Sequence, residues 1–382
     1  LLRGGMPVRS SAGWIDRFAP PLELMTQLRR VDIGSSRSVE TCIASLAGAE
    51  TSGMRLERLR VAESENSHSV WTADFELLAR CKRLSWLELL ASPTPDQLDR
   101  FPVLPLRHLG LSASNFDPHW ANRFGATLQS LELEATQCPM TLDALELPRL
   151  IRLDLGHGWD LAWALARPGL RWLGISCNSA AELGSVAQRC PQHLRLTTSA
   201  QTLDSLPPLP ALSSLELRCR SHRQRHFEPE MLASMSNLRL LALEWTYDPA
   251  DDRTVPEHIT LRLPDRLTKL SLPRIETRMS RFPRFSIRGG SIEVLECHSY
   301  TLFLPPAELC ANVRTLILED EPGSDFVNRL GELEAKLPRL RTVVLRRFSV
   351  ERLAELATVL PRIQLHPVDP GYRDPERWPR PR

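Results

Sequence analysis

Lysine is almost missing from this chain. Lys82, Lys269 and Lys336 are the only three among 48 basic residues, which leaves 45 arginines. Two readings stand: codon usage of a GC-rich genome, or selection against ubiquitin acceptors. Nothing physical in a soluble fold demands Arg throughout, which favours the first. A large charge of either sign is also missing, because 46 acidic residues bring the net charge to +2. So small a net charge excludes a global field drawing the chain onto nucleic acid or an anionic membrane. The eight cysteines include no C-x-x-C pair, no N-x-[ST] sequon occurs, and no apolar run reaches transmembrane length. No signal-peptide pattern opens the chain, and the expectation is a soluble, cytoplasmic protein with no membrane partner. G-x-x-x-x-G-K-[ST], H-E-x-x-H and G-x-S-x-G are absent, as is any readable grouping of His with Ser, Cys or Asp. No enzyme activity and no cofactor are expected.

What is abundant is leucine, 66 of 382 residues, and its placement is regular. The pattern Leu-x-x-Leu-x-Leu begins at Leu84, Leu106, Leu128 and Leu150, each copy 22 residues after the last. Allowing Val, Ile or Cys extends it from Leu28 to Leu360, giving 15 units at a mean spacing of about 24 residues. A chain of this length exceeds one ordinary core, and a fixed period means a stack that adds core unit by unit. The fourth and sixth positions differ by two, so on a strand they point to one face, into the core. Apolar anchors stand three residues before many copies, as at Met25, Cys81, Leu147, Leu209, Met235, Cys310 and Leu337. Helical spacing predicts return segments at 74–80, 180–189, 229–235, 325–336 and 350–359. Spacings of 26 and 29 residues around Leu238 predict looser turns there, with Ile259 to Leu263 as an extra strand.

On these repeats the chain resembles the leucine-rich-repeat family across residues 28–365. The resemblance implies an α/β solenoid, a horseshoe with a concave parallel sheet and helical or irregular convex segments. Cys81-Lys82-Arg83-Leu84 and Cys310-Ala311-Asn312-Val313 look like the cysteine-containing subclass found in F-box proteins. The ninth position departs from that subclass: it is mostly a hydroxyl, Ser36, Ser64, Ser92, Ser114, Thr136 and Ser199, with Asn178 the lone asparagine. Residues 1–27 read as an N-terminal cap or the end of an upstream segment. Residues 366–382, with five prolines, read as a disordered tail.

The third and fifth motif positions point away from the core. The third carries Arg30, Arg58, Trp86, His108, Arg152, Trp172, His193, Lys269 and Arg362; the fifth carries Asp32, Glu88, Glu132, Asp154, Glu216 and Glu296, opposed by Arg60 and Arg195. One reading is that neighbouring charges simply neutralise each other. The other is a recognition surface with Trp86 and Trp172 as exposed anchors, since Trp and Arg dominate binding hot spots. The candidate set is Arg30, Arg58, Trp86, Glu88, His108, Glu132, Arg152, Asp154 and Trp172. Cys219, His222 and His226 have metal-ligand spacing, but four arginines between 218 and 225 oppose a dication, so no metal is expected and an anion patch or a solvated loop remains. The functional expectation is a monomeric scaffold that binds a protein partner, with nucleic acid disfavoured. The alternative is the substrate-recognition part of a ubiquitin ligase whose effector domain lies outside these residues.

Overall fold

A computed structural model of the chain describes residues 8–10, 29–33, 55–62, 75–90, 95–111, 118–133, most of 142–220, 226–246, 258–272, 284–298, 307–319, 336–346 and most of 354–368. Two compact units divide it, residues 1–173 and 174–380. Among the described residues sixteen strands follow one another in chain order in a single sheet, from Val8–Ser10 to Gln364–Val368. In the first unit Arg30–Ile33, Arg58–Ala62, Trp86–Leu90, His108–Leu111, Ser130–Leu133 and Arg152–Leu155 pair in parallel, third position against third position. The same register holds in the second unit, for example Ser214 against Leu240 and Lys269 against Val294.

One strand exceeds the fifteen units counted from the sequence. Val8 pairs with Val31, so the fourth position is Val8 while the first falls on Gly5 and the sixth on Ser10. One apolar residue in three is too little pattern to read. At the other end, the last strand continues past residue 365 to Val368.

The leucines behave as their spacing requires. Leu59, Leu87, Leu109, Leu131 and Leu153 at the fourth position, and Val61 and Leu89 at the sixth, are fully buried. Each such side chain contributes about 1.5–3 kcal/mol by leaving water. Turn geometry sets the register. The carbonyl of each anchor accepts from the amide of the motif's first residue: Leu84 to Cys81 at 2.9 Å, Leu150 to Leu147 at 3.1 Å, Leu238 to Met235 at 2.9 Å and Val313 to Cys310 at 3.1 Å. The second-position carbonyl then accepts two amides from the next strand, as when Ser85 and Trp86 both donate to Glu57, and Arg107 and His108 both donate to Ser85. This forked rung recurs along both units and satisfies the backbone where each strand begins.

Return segments are short. Phe75–Arg80, Pro118–Phe124 and Glu230–Ser234 are 3₁₀ turns, and Ala180–Gln188 is an α-helix. Packing behind the first unit is aromatic: Phe101 lies 5.6 Å from Phe75, 5.4 Å from Trp120 and 6.1 Å from Phe124, while Trp120 Nε1 donates to the Leu98 carbonyl at 2.6 Å. In the second unit the extra strand forms, as His258–Leu263. It joins His226–Phe227 and Arg284–Gly289 in a separate parallel sheet of three, which accounts for the long spacings near Leu238. Met25, the ninth-position residues Ser36, Ser64, Ser92, Ser114, Thr136 and Asn178, the segment 325–335 and the tail beyond 368 lie outside the described residues.

Candidate interaction surface

Outward-pointing residues of the first unit form a connected network rather than two loose columns. Register sets Arg58, Trp86, His108 and Ser130 side by side. The Arg58 guanidinium lies 4.8 Å from the centre of the Trp86 ring, and on the next strand the His108 ring stacks on the indole at 3.6 Å with planes 17° apart. His108 Nδ1 is hydrogen-bonded to Ser130 Oγ at 2.8 Å. Trp86 Nε1 donates to Glu88 Oε1 at 3.0 Å, the Arg60 guanidinium pairs with Glu88 at 3.1 Å, and His108 Nε2 lies 3.7 Å from Glu88. Gly110 makes this possible: a Cβ there would meet Glu88 Cγ at 3.1 Å and His108 Nε2 at 3.6 Å. Glu88 therefore lies across a missing side chain to reach its neighbours.

Arg60 and Glu88 neutralise each other in these contacts, and Trp86 is left half-buried, held between a cation and an imidazole. His108 is buried because the indole covers it. Trp172 departs from expectation. It is 2 % exposed, with the Arg152 guanidinium 3.9 Å over its ring, so its indole is covered rather than presented. Arg30 is half-buried in register with Arg58, and Glu132 and Asp154 are half-buried and opposite each other.

Ser130, His108 and Glu88 superficially suggest a nucleophile with its base. Their geometry argues otherwise. The Glu88 to His108 separation exceeds hydrogen-bond length, and the Ser130 amide, a natural oxyanion donor, is committed to the Arg107 carbonyl at 2.9 Å. Among the described residues no three His, Cys, Asp or Glu are placed to hold a metal ion. Cys219 and His226 belong to two different sheets, and His222 lies outside the described residues. Burial pushes the Cys219 thiol up to about 12; burial, then the charge of Glu182, pushes the Cys177 thiol up to about 12 as well. Neither is a ready nucleophile or ligand.

The second unit carries two buried carboxylates on its outward face. Glu216, 2 % exposed, pairs with Arg195 at 3.0 Å and Arg218 at 2.9 Å, and Arg218 also reaches Glu244 at 2.8 Å. Glu296, 1 % exposed, pairs with Lys269 at 3.4 Å and with Arg346 at 2.8 Å, while Arg346 also pairs with Glu319. Each carboxylate sits between two cations, the arrangement that makes a buried charge tolerable. The sequence names Glu216 and Glu296 through their column. It does not show that Arg346 arrives from two strands away in the main sheet.

The repeat, the in-register parallel strands and the buried leucines make the fold a leucine-rich-repeat solenoid. No protein-family model and no curated protein matches the chain. Among solved structures it is similar to a leucine-rich-repeat protein of Leptospira interrogans, at 13% identity and a TM-score of 0.36, covering 94% of this chain and 99% of that one. It is also similar to an internalin of Listeria monocytogenes, at 13% identity and a TM-score of 0.30, covering 88% and 90% respectively. Likenesses this distant add nothing to what the repeats carry alone. Among the described residues no helix is long and apolar enough to cross a membrane.

Proposed function

We propose that this chain is a non-catalytic protein-binding scaffold whose first unit recognises a protein partner through the outward face of its sheet. One observation carries the reading: Trp86 is an aromatic anchor already fixed in place, with Arg58 and His108 against its ring and Glu88 on its indole nitrogen. An anchor ordered before binding loses little entropy on association. Arg58 and Arg60 lie on the strand beside it, and Glu132, Asp154 and Arg152 follow two and three strands on, polar groups of both signs fit for a partner's polar rim. Ordered indoles in such settings commonly contribute about 2 kcal/mol or more, roughly thirty-fold in affinity.

The test compares the full chain with Trp86→Ala and Arg60→Ala as baits in a cross-linked extract of the cells that express it. The expected result is a discrete partner lost with Trp86→Ala and weakened with Arg60→Ala. Capture of the same partner at equal strength by both variants would sink the proposal. A second reading, substrate recognition for a ubiquitin ligase, rests on Cys81 and Cys310, which are fully buried and close the turns into their strands where the cysteine-containing subclass has its cysteine. Co-purification with ligase subunits supports it, and isolation of the partner without any ligase component counts against it.

A further inference from the structure

The second unit's three-stranded sheet has a buried face and an open one. Phe227, Ile259, Leu261, Leu263 and Ile287 are buried on one side. The other side presents His226, His258 and Arg284 as one row, Thr260 and Ser286 as the next, and Arg262 and Arg288 as the last. Arg262, Arg284, Ser286 and Arg288 are exposed, as is His226. Among the described residues one carboxylate opposes them: Glu228 lies 3.3 Å from Arg262, with side chains 40% and 62% exposed. Among the described residues Arg284 and Arg288 have no carboxylate partner. This face belongs to the three-stranded sheet and is assembled from strands about 30 residues apart, so neither composition nor the leucine period announces it.

Spacing shows what kind of ligand this face fits. Neighbouring strands lie about 4.8 Å apart and residues rise about 3.3 Å along each, so the two basic rows stand about 13 Å apart with a hydroxyl row midway. An extended peptide laid along the strands points every second side chain at the sheet. Its residues i and i+4 therefore fall on the two basic rows, and i+2 falls on the hydroxyls. Among the described residues, three arginines less one glutamate leave a formal charge of two, matched by two carboxylates. The Glu228 to Arg262 pair is a surface ion pair of the kind that exchanges at little cost. Single-stranded nucleic acid fits less well, because among the described residues this face presents no Phe, Tyr or Trp as a stacking platform, and its exposed His226 is already stacked on His258 at 5.0 Å.

We infer that the open face of the second sheet docks an extended acidic protein segment with carboxylates four residues apart, held by Arg284 at one end and by Arg262 and Arg288 at the other. This goes beyond the scaffold reading, concerns a different surface, and stands or falls independently of it.

The experiment uses the full chain and a labelled peptide, Gly-Ser-Glu-Ser-Thr-Ser-Glu-Ser-Gly, in fluorescence anisotropy at low ionic strength. Saturable binding is expected, with a Gln-for-Glu peptide and a peptide with adjacent glutamates both weaker. Arg284→Gln and Arg288→Gln, each removing a charge-assisted contact, are expected to weaken binding about tenfold. Val103→Ser, at an exposed position outside both surfaces, should leave it unchanged, and circular dichroism checks that the exposed-site variants remain folded. Absence of saturable binding, equal binding of the Gln peptide, or insensitivity to both arginine substitutions overturns the inference. So does an oligothymidylate strand that binds more tightly than the peptide and loses that binding in the same variants.

Discussion

At the residue scale the fold depends on what each outward-facing side chain finds on the next strand, 20 or more residues away in sequence. Gly110 shows this, since its missing Cβ leaves the room that the Glu88 side chain occupies. Buried thiols show it through pH. The Cys177 and Cys219 thiols are pushed up from an ordinary value of 9.0 to about 12 in the fold. Between pH 9 and 12 the unfolded chain has lost these protons while the folded chain keeps them, so stability is whole below pH 9 and falls as pH rises through that window. Three lysines, three tyrosines and six other cysteines also ionise near this range in the unfolded chain, so the share of one thiol is read from its own substitution. Denaturation midpoints from pH 8 to 10.5 should therefore decline, and Cys219→Ala should flatten part of the decline. An unchanged slope in that variant would show that the thiol is not responsible.

Elements in this chain are short, so their ends matter more than their interiors. Arg284–Gly289 finishes at Gly289 with φ +79°, where an added Cβ would stand 2.2 Å from the Leu263 carbonyl oxygen. Only glycine permits both the left-handed backbone and the close approach to the neighbouring strand. Gly184, inside the helix Ala180–Gln188, has nothing within 4 Å of the place a methyl group would take. Opposite signs follow for one chemical change. Gly289→Ala should cost about 1–3 kcal/mol through backbone strain, and Gly184→Ala should gain about 0.5–1 kcal/mol through helix propensity. Urea unfolding of both variants checks this, and a Gly289→Ala chain as stable as the parent would show that the second sheet ends differently.

For the whole molecule, each repeat packs on its neighbours, so a lesion should be felt most near itself. Leu109→Ala empties a fully buried position and should cost about 2–5 kcal/mol. The thiols of Cys81 and Cys310, both fully buried, report locally on the first and second units. Labelling in increasing urea should show Cys81 becoming reactive earlier in Leu109→Ala, with a smaller change at Cys310. Equal shifts at both would mean that the chain unfolds as one cooperative block.

The leucine period alone determined the strands of the main sheet from Arg30–Ile33 onward, their buried fourth and sixth residues, the anchors three residues ahead and the solenoid itself. It could do so because a side chain's facing on a strand follows from its parity and each unit repeats the same local problem. The same logic marked Trp86, Glu88 and His108 as outward-facing. Only the tertiary structure decided which of them remain accessible. Trp172 is covered by Arg152, Glu296 is held by an arginine from a strand two places away in the sheet, and three separate segments meet in the second sheet. Those outcomes depend on pairing between segments that the sequence keeps apart, and exposure is a property of neighbours across strands rather than of position along one.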